Sequence, residues 1–286
     1  MLKTIAHAKI NLTLRILGKE DTGFHLIESI TAFSDFGDCV EIFTNSSYDQ
    51  LEISGPFAKD LEGENIAVKA LEYFRRETNW NQPVTIKISK QIPVAAGLGG
   101  GSANAACVLK MLNLMAPKAR ISKKKMGEIG LALGSDVPAC LSGKVLKMEG
   151  RGEKLTQIGP IPNMPILLVN PNIKLSTKAV FEIFSKKGSS KIIRGDDSVD
   201  VEDIFRNIGS IAPNGLIEPA IKLAPIVKDV LSVLEKLQGI ATFGMSGSGA
   251  TCFAIFEADD KVSVIEAENQ LKTYGWWTTP TFLKGT

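Results

Sequence analysis

Cysteine and histidine are scarce in this chain. Four cysteines (Cys39, Cys107, Cys140, Cys252) and two histidines (His7, His25) are spread over 286 residues. No CxxC pair and no zinc-type Cys/His spacing occurs, which excludes a structural zinc site. Four reduced, buried thiols in a cytoplasmic protein are expected instead. No stretch approaches the ~18 consecutive apolar residues of a membrane span, so no membrane partner is expected. Lys3, Lys9 and Arg15 interrupt the N-terminal apolar residues, and no signal peptide is read there. A charge excess is lacking too. The 33 basic and 31 acidic residues leave +2, which gives no broad basic field and no nucleic-acid partner.

What is present is an ordinary globular composition, 44% apolar and 22% charged. The length suits one large domain or two of common size. Ala8 to Ile16 alternates with period two, so Ile10, Leu12, Leu14 and Ile16 share a strand face. Leu26–Phe33 and Cys39–Phe43 read as strands, with Asp35-Phe36-Gly37-Asp38 as a hairpin between them. Further strands are expected at Val84–Ile88, Val145–Met148, Ile166–Val169, Ala241–Met245, Thr251–Phe256 and Trp276–Phe282. Helical patterns open at Asn65, about Ser102, about Ser122, Pro225 and Asp259. Ser185 to Asp200 is polar and lysine-rich and reads as a mobile loop. Arg151 to Pro165 carries three prolines and marks a domain junction. Strands and helices mix without strict alternation. The expected class is α+β in two lobes, residues 1–155 and 156–286.

Glycine is plentiful, 26 residues against a usual ~7%, and much of it falls in two clusters. The first is Pro93-Val-Ala-Ala-Gly97-Leu98-Gly99-Gly100-Gly101-Ser102, after a strand and before a helix. Its backbone N–H groups and the helix N-terminus suit an anion. With Ser102 as N-cap it would be a plain tight turn. A P-loop needs a lysine after the glycines, and a dinucleotide fingerprint needs glycine where Ser102 stands. Neither common phosphate motif is met. The second cluster, Gly244-Met-Ser246-Gly247-Ser248-Gly249-Ala250-Thr251, lies between two strands, either a glycine hairpin or a second wall of amides. Gly134-Ser-Asp136-Val-Pro138 offers Asp136 as a helix cap or as a base for a hydroxyl. Lys9 points away from the apolar face of its strand and reads by itself as solvated.

Together these segments resemble the GHMP family of small-molecule kinases. Ala8-Lys9-Ile10-Asn11-Leu12 is similar to its N-terminal lysine strand, Pro93 to Ser102 to its PxxxGLG(S/G)(S/G)S loop, and Ser246 to Thr251 to its C-terminal glycine motif. Gly23-Phe24-His25 and Gly134-Ser-Asp136-Val-Pro138 resemble the branch whose substrate is a cytidine diphosphate. The resemblance implies an N-terminal ATP-binding lobe, a C-terminal substrate lobe and an active site between them. It implies Asp136 as catalytic base with Lys9 as partner. Pro93, Gly97, Leu98, Gly99, Gly100, Gly101, Ser102, Asn65 and Lys90 would bind ATP. Asn11, Phe24, His25, Phe181, Gly247 and Gly249 would bind substrate, with Phe24 and Phe181 sandwiching cytosine and His25 reading its edge. ATP is the co-substrate and Mg2+ the metal, with no protein ligand assigned; a monomer or weak homodimer is expected. Asn214-Gly215 departs from the family's Asn-Asp segment, and no role is carried over to it. Homoserine or mevalonate kinases, or a catalytically silent sensor, are the rival readings. They give no reason for Phe24-His25 and Phe181, and a sensor would have lost Lys9 or Asp136.

The chemistry agrees with that resemblance. Phosphoryl transfer asks a protein for positioning and for stabilisation of spreading negative charge. A glycine nest supplies both without a P-loop lysine. A carboxylate beside the acceptor alcohol takes its proton, and a neighbouring ammonium keeps that carboxylate ionised.

Overall fold

The computed structural model describes residues 1–20, 23–44, 47–186, 210–211, 213–258 and 260–285. The greater part of the Ser185–Asp200 segment read as a loop lies outside them. The chain gathers into two compact units, each of three segments. The first holds Met1–Lys9, Phe36–Val94 and Gly99–Gly143; the second holds Ile10–Asp35, Ala95–Leu98 and Lys144–Thr286. The units interleave along the chain, so no single cut at residue 155 separates them.

In the first unit, β4 (Gln50–Ser54) runs parallel to β5 (Thr85–Ser89). β5 runs antiparallel to the C-terminal part of β3 (His25–Phe43), from Cys39 opposite Ser89 to Phe43 opposite Thr85. Helix α1 (Ile66–Thr78) starts where Asn65 Oδ1 accepts from Ala67 N at 2.9 Å. It buries Ala67, Ala70, Leu71 and Phe74 at three-to-four spacing. Helix α2 (Gly100–Met115) begins at the glycines, two residues before the expected start, with Gly99 as its N-cap at φ 61°. Ser102 is therefore no cap. Small residues (Ala103, Ala105, Ala106) let α2 bury almost its whole circumference against α1 and α4 (Val137–Ser142). Between them, α3 (Lys123–Leu133) is capped by Ser122, whose side chain accepts from Lys125 N.

In the second unit, β2 (Arg15–Lys19), the N-terminal part of β3, β6 (Leu146–Gly150) and β7 (Lys154–Gln157) form an antiparallel ladder. A second sheet has the order β12 (Trp277–Phe282), β8 (Pro165–Asn170), β11 (Cys252–Phe256), β10 (Ile240–Met245), β9 (Ser210–Ile211). Every residue of β8, β10 and β11 is buried, so these strands read as apolar runs rather than alternations. Helices α5 (Thr177–Lys186), α6 (Ile217–Leu223), α7 (Ile226–Leu234) and α8 (Lys261–Lys272) complete the unit. Val227, Val230, Leu231 and Leu234 of α7 join Leu167, Phe243 and Phe256 of the sheet in one core.

Two strand expectations are corrected. The alternation of Ala8–Ile16 breaks after Asn11, where β1 (Leu2–Asn11) ends, and resumes at Arg15 as β2. The hairpin at Asp35–Asp38 is absent: β3 runs straight through it for 19 residues. Gly37 is there because a Cβ would lie 2.7 Å from the Ala6 carbonyl carbon, a close approach rather than a turn. No helix among the described residues is long and apolar enough to cross a membrane. The described cysteines form no disulfide; Cys140 and Cys252 are buried while Cys39 and Cys107 are half-buried. Burial pushes the thiols of Cys140 and Cys252 up and that of Cys107 to about 11.

Candidate active site

The residues assigned to ATP and catalysis fall mainly in the first unit. Lys9, near the end of β1, is only 3% exposed, against the solvated position expected of a lone lysine. Its Nζ donates to Asp136 Oδ1 at 2.8 Å. Asp136 opens α4 and is its N-cap residue, yet its side chain makes no capping bond. A carboxylate placed there for helix stability would accept from the next turn's N–H groups. This one takes an ammonium instead and keeps a third of its side-chain surface open. The Cβ position of Gly99 lies 3.2 Å from Lys9 Cβ and 3.6 Å from Asp136 Oδ2. The first glycine run thus passes directly over the pair.

Lys90 and Asn65 are more embedded than the resemblance implies. Asn65 Oδ1 is occupied as the α1 cap. Lys90 is 2% exposed, and its Nζ donates to Asp38 Oδ2 at 2.6 Å. Asp38 Oδ1 also accepts from the N–H groups of Gln91 and Ile92, at 2.7 and 2.8 Å. Burial pushes Lys90 below the ordinary lysine value, and Asp38 opposes that shift. A Cβ on Gly100 would sit 3.0 Å from Lys90 Nζ. One fully buried carboxylate therefore fixes the chain as it leaves β5, immediately before Pro93, and sets an ammonium against the first residue of α2. Asp38 carried no sequence signal beyond its misread turn.

The second unit carries the residues assigned to substrate. Asn11 Nδ2 donates to Ser29 Oγ at 2.7 Å, and Asn11 N donates to Ser246 Oγ at 3.1 Å. Ser246 Oγ in turn donates to Gly97 O at 2.8 Å. Gly97, at φ 77°, has no room for a Cβ, which would strike the Ser246 carbonyl oxygen. Leu98 beside it is buried. The second glycine turn is closed by Ser246 N to Thr251 O at 2.9 Å and Gly249 N to Ser246 O at 3.0 Å. Asn214 holds this turn from outside. Its Nδ2 donates to Met245 O at 2.7 Å and Gly247 O at 2.9 Å, while its Oδ1 accepts from Leu216 N at 2.8 Å. Nothing in the sequence assigns Asn214 a role, and its clamp is visible only in three dimensions.

The aromatic residues expected to bind cytosine each have a ring contact of their own. The His25 ring packs on Phe181, centroids 4.7 Å apart, and edge-on to Phe184 at 6.1 Å. His25 Nε2 lies 2.9 Å from Ser185 Oγ, and burial, then the charge of Lys19, lowers its pKa. Phe24 is 49% exposed, and the Arg151 guanidinium covers its ring at 3.7 Å. Phe181 and Phe24 thus have His25 and Arg151 as their respective ring partners. Among the described residues no group of three His, Cys, Asp or Glu is placed to hold a metal.

A glycine run at a helix start, a buried lysine on a carboxylate and a second glycine turn define a small-molecule kinase of one family. The chain belongs to the GHMP kinases: the family's N-terminal domain matches residues 65–144 and its C-terminal domain residues 198–275. Its relatives include the 4-diphosphocytidyl-2-C-methyl-D-erythritol kinase of Ruegeria pomeroyi, 38% identical over 96% of this chain and 97% of that protein. The protein of the same name from Chelativorans sp. is 36% identical over 98% of this chain and 95% of its own length. A crystal structure of 4-(cytidine 5'-diphospho)-2C-methyl-D-erythritol kinase superposes with TM-score 0.81 at 28% identity, covering all of both chains. A homoserine kinase from Cytophaga hutchinsonii shares the fold, TM-score 0.70 at 16% identity, over 100% of this chain and 95% of that one.

Proposed function

We propose that this kinase transfers the γ-phosphate of ATP to the 2-hydroxyl of 4-diphosphocytidyl-2-C-methyl-D-erythritol, a step of non-mevalonate isoprenoid precursor synthesis. The observation that carries the reading is the 2.8 Å contact of Lys9 Nζ with an Asp136 carboxylate that caps nothing. Asp136 takes the proton of the acceptor hydroxyl as the new O–P bond forms. Lys9, bonded to Oδ1, orients the carboxylate toward the acceptor. Gly99, Gly100, Gly101 and Ser102 at the α2 N-terminus hold the ATP phosphates, with Lys90, Asn65 and Pro93 shaping the nucleotide side. Gly97 and Leu98 extend that loop. Asn11, Phe24, His25, Phe181, Gly247 and Gly249 hold the cytidine substrate.

Magnesium fits a setting with few protein donors. It keeps water and phosphate oxygens as most of its ligands and needs few from protein. The Ser102 hydroxyl, in the first turn of α2, would be a protein oxygen ligand, and the ion would neutralise charge on the ATP phosphates. The protein works in the cytoplasm as a monomer or weak homodimer.

A coupled assay of ADP release tests the reading. The expected result is turnover with 4-diphosphocytidyl-2-C-methyl-D-erythritol and none above background with homoserine or mevalonate. Preference for either rival substrate overturns it.

A further inference from the structure

Arg151 follows Gly150, whose φ of 72° ends β6. Its guanidinium carbon lies 3.7 Å from the centroid of the Phe24 ring. The contact seats the guanidinium over the ring without using its N–H groups. Nε is buried with no acceptor. Among the described residues no carboxylate pairs with the guanidinium. Glu153, two residues on, accepts from the Arg151 backbone N–H at 2.6 Å instead. A guanidinium seated over a half-exposed ring, with no carboxylate partner among the described residues, is arranged for a ligand rather than for stability.

A second cation belongs to the same ladder. Lys19 stands opposite His25 in the β2–β3 pairing and is exposed. Among the described residues it too has no carboxylate partner. Its field reaches the imidazole, adding to burial in lowering the His25 pKa. The segment presenting Phe24 and His25 therefore carries two cationic side chains, neither of them in a salt bridge among the described residues. A neutral nucleobase would leave both charges uncompensated. A diphosphate, one sugar away from the base, would neutralise both.

We propose that Arg151, seconded by Lys19, binds the diphosphate of the nucleotide substrate, with Phe24 serving as the platform that orients the guanidinium. The fork takes two phosphate oxygens side by side, and the ring contributes a cation–π contact that holds the guanidinium in place between turnovers. Phe24 thereby acts on the diphosphate as well as on the base. The assignment rests on the cytidine-diphosphate reading of the substrate given above.

Calorimetric titrations with cytidine and with CDP test it, run on wild type, Arg151→Gln and Arg151→Lys. A saturating non-hydrolysable ATP analogue keeps CDP out of the ATP site. Wild type is expected to bind CDP at least tenfold tighter than cytidine. Arg151→Gln should lose most of that ratio with cytidine affinity unchanged, and Arg151→Lys should keep part of it, because a lysine retains the charge without the fork. In the kinase assay, Arg151→Gln should raise KM for the cytidine substrate about tenfold with kcat and the KM for ATP unchanged. An unchanged CDP-to-cytidine ratio in Arg151→Gln overturns the assignment. So does an equal loss for both ligands, which would make Arg151 a prop for Phe24. If wild type binds neither ligand, the cytidine substrate itself is wrong and the assignment falls with it.

Discussion

Lys9 Nζ donates to Asp136 Oδ1 across 2.8 Å, and the helix that Asp136 opens does without a side-chain cap. The pair separates two roles that a sequence alone leaves merged. A capping aspartate changed to asparagine loses little, since asparagine caps as well. A general base changed to asparagine loses its proton acceptor. Asp136→Asn should therefore lower kcat by roughly a hundredfold or more while ATP affinity and thermal midpoint change little. Steady-state kinetics beside a thermal melt measure both. Near-wild-type turnover would remove Asp136 from the chemistry.

The Asp38–Lys90 pair makes a different prediction, because both partners are fully buried. Asp38→Asn leaves an ammonium in the interior without its counter-charge, which costs about 3–5 kcal/mol when a buried pair is broken on one side. The double variant Asp38→Asn, Lys90→Met removes that stranded charge and should recover part of the loss. Chemical denaturation of the three proteins gives the coupling. Equal destabilisation in the single and double variants would show that the pair is not coupled.

These two aspartates also show what was legible in the chain. Asp136 sits in a short run with a glycine and a proline at fixed offsets, and local spacing is something a sequence displays. Asp38 sits in Asp35-Phe36-Gly37-Asp38, where the residue types of a turn mislead. Gly37 serves the approach of Ala6, and Asp38 serves backbone donors more than fifty residues away. The bonds of Ser246 and Asn214 were invisible for the same reason: their partners Asn11, Gly97 and Met245 lie 31 to 235 residues off. The glycine runs, the capped helices α1 and α3 and the buried central strands were readable, because composition and period are local properties. Which ring packs on which, His25 on Phe181 and Arg151 on Phe24, depends on tertiary placement.

The glycine loop should tolerate substitution unequally. Gly99 has φ 61°, and a Cβ there meets Lys9 Cβ at 3.2 Å and Cε at 3.3 Å. Valine adds branching and a left-handed backbone that it adopts poorly. Gly99→Val should displace Lys9 and reduce both kcat and nucleotide affinity by tenfold or more. In Gly100→Val the Cβ meets Lys90 Nζ and Ile92, so nucleotide affinity should fall with less effect on kcat for the ATP that still binds. Calorimetry with an ATP analogue, beside saturating-substrate kinetics, separates the two. Undiminished affinity in folded variants would take the loop out of the ATP site.

Acid should weaken the protein through His25. Burial and then Lys19 hold its folded pKa below the ordinary value of ~6.5. Between those two values the unfolded chain binds the proton and the folded chain does not. The contribution of neutral His25 is therefore complete above about pH 6.5 and is lost as pH falls below it. His25→Gln removes that titration. Denaturant midpoints at pH 8 and pH 5.5 should fall further for wild type than for His25→Gln. An equal fall in both would show that His25 titrates alike folded and unfolded.

Base selectivity follows from the same cluster. Cytosine offers an amino donor and a ring-nitrogen acceptor where uracil offers a carbonyl and a ring N–H. A stacked ring cannot tell them apart, because both bases present similar faces. Selection must come from polar groups at the base edge. His25 Nε2 is engaged with Ser185 Oγ, so the imidazole is held in one orientation, and Nδ1 and the adjoining backbone remain to meet the base. A mismatch strands buried polar groups at roughly 1–3 kcal/mol each. Two such mismatches give on the order of a hundredfold or more in kcat/KM. Wild type should thus strongly prefer the cytidine substrate over its uridine analogue, and His25→Ala should narrow the gap mainly by slowing the cytidine reaction. Phe181→Ala removes the ring packed 4.7 Å from His25, so it should weaken both analogues and also loosen the imidazole, giving a smaller narrowing. Measuring kcat/KM for both substrates on the three proteins decides it. A cytidine-to-uridine ratio unchanged in His25→Ala would hand the reading of the base to the backbone.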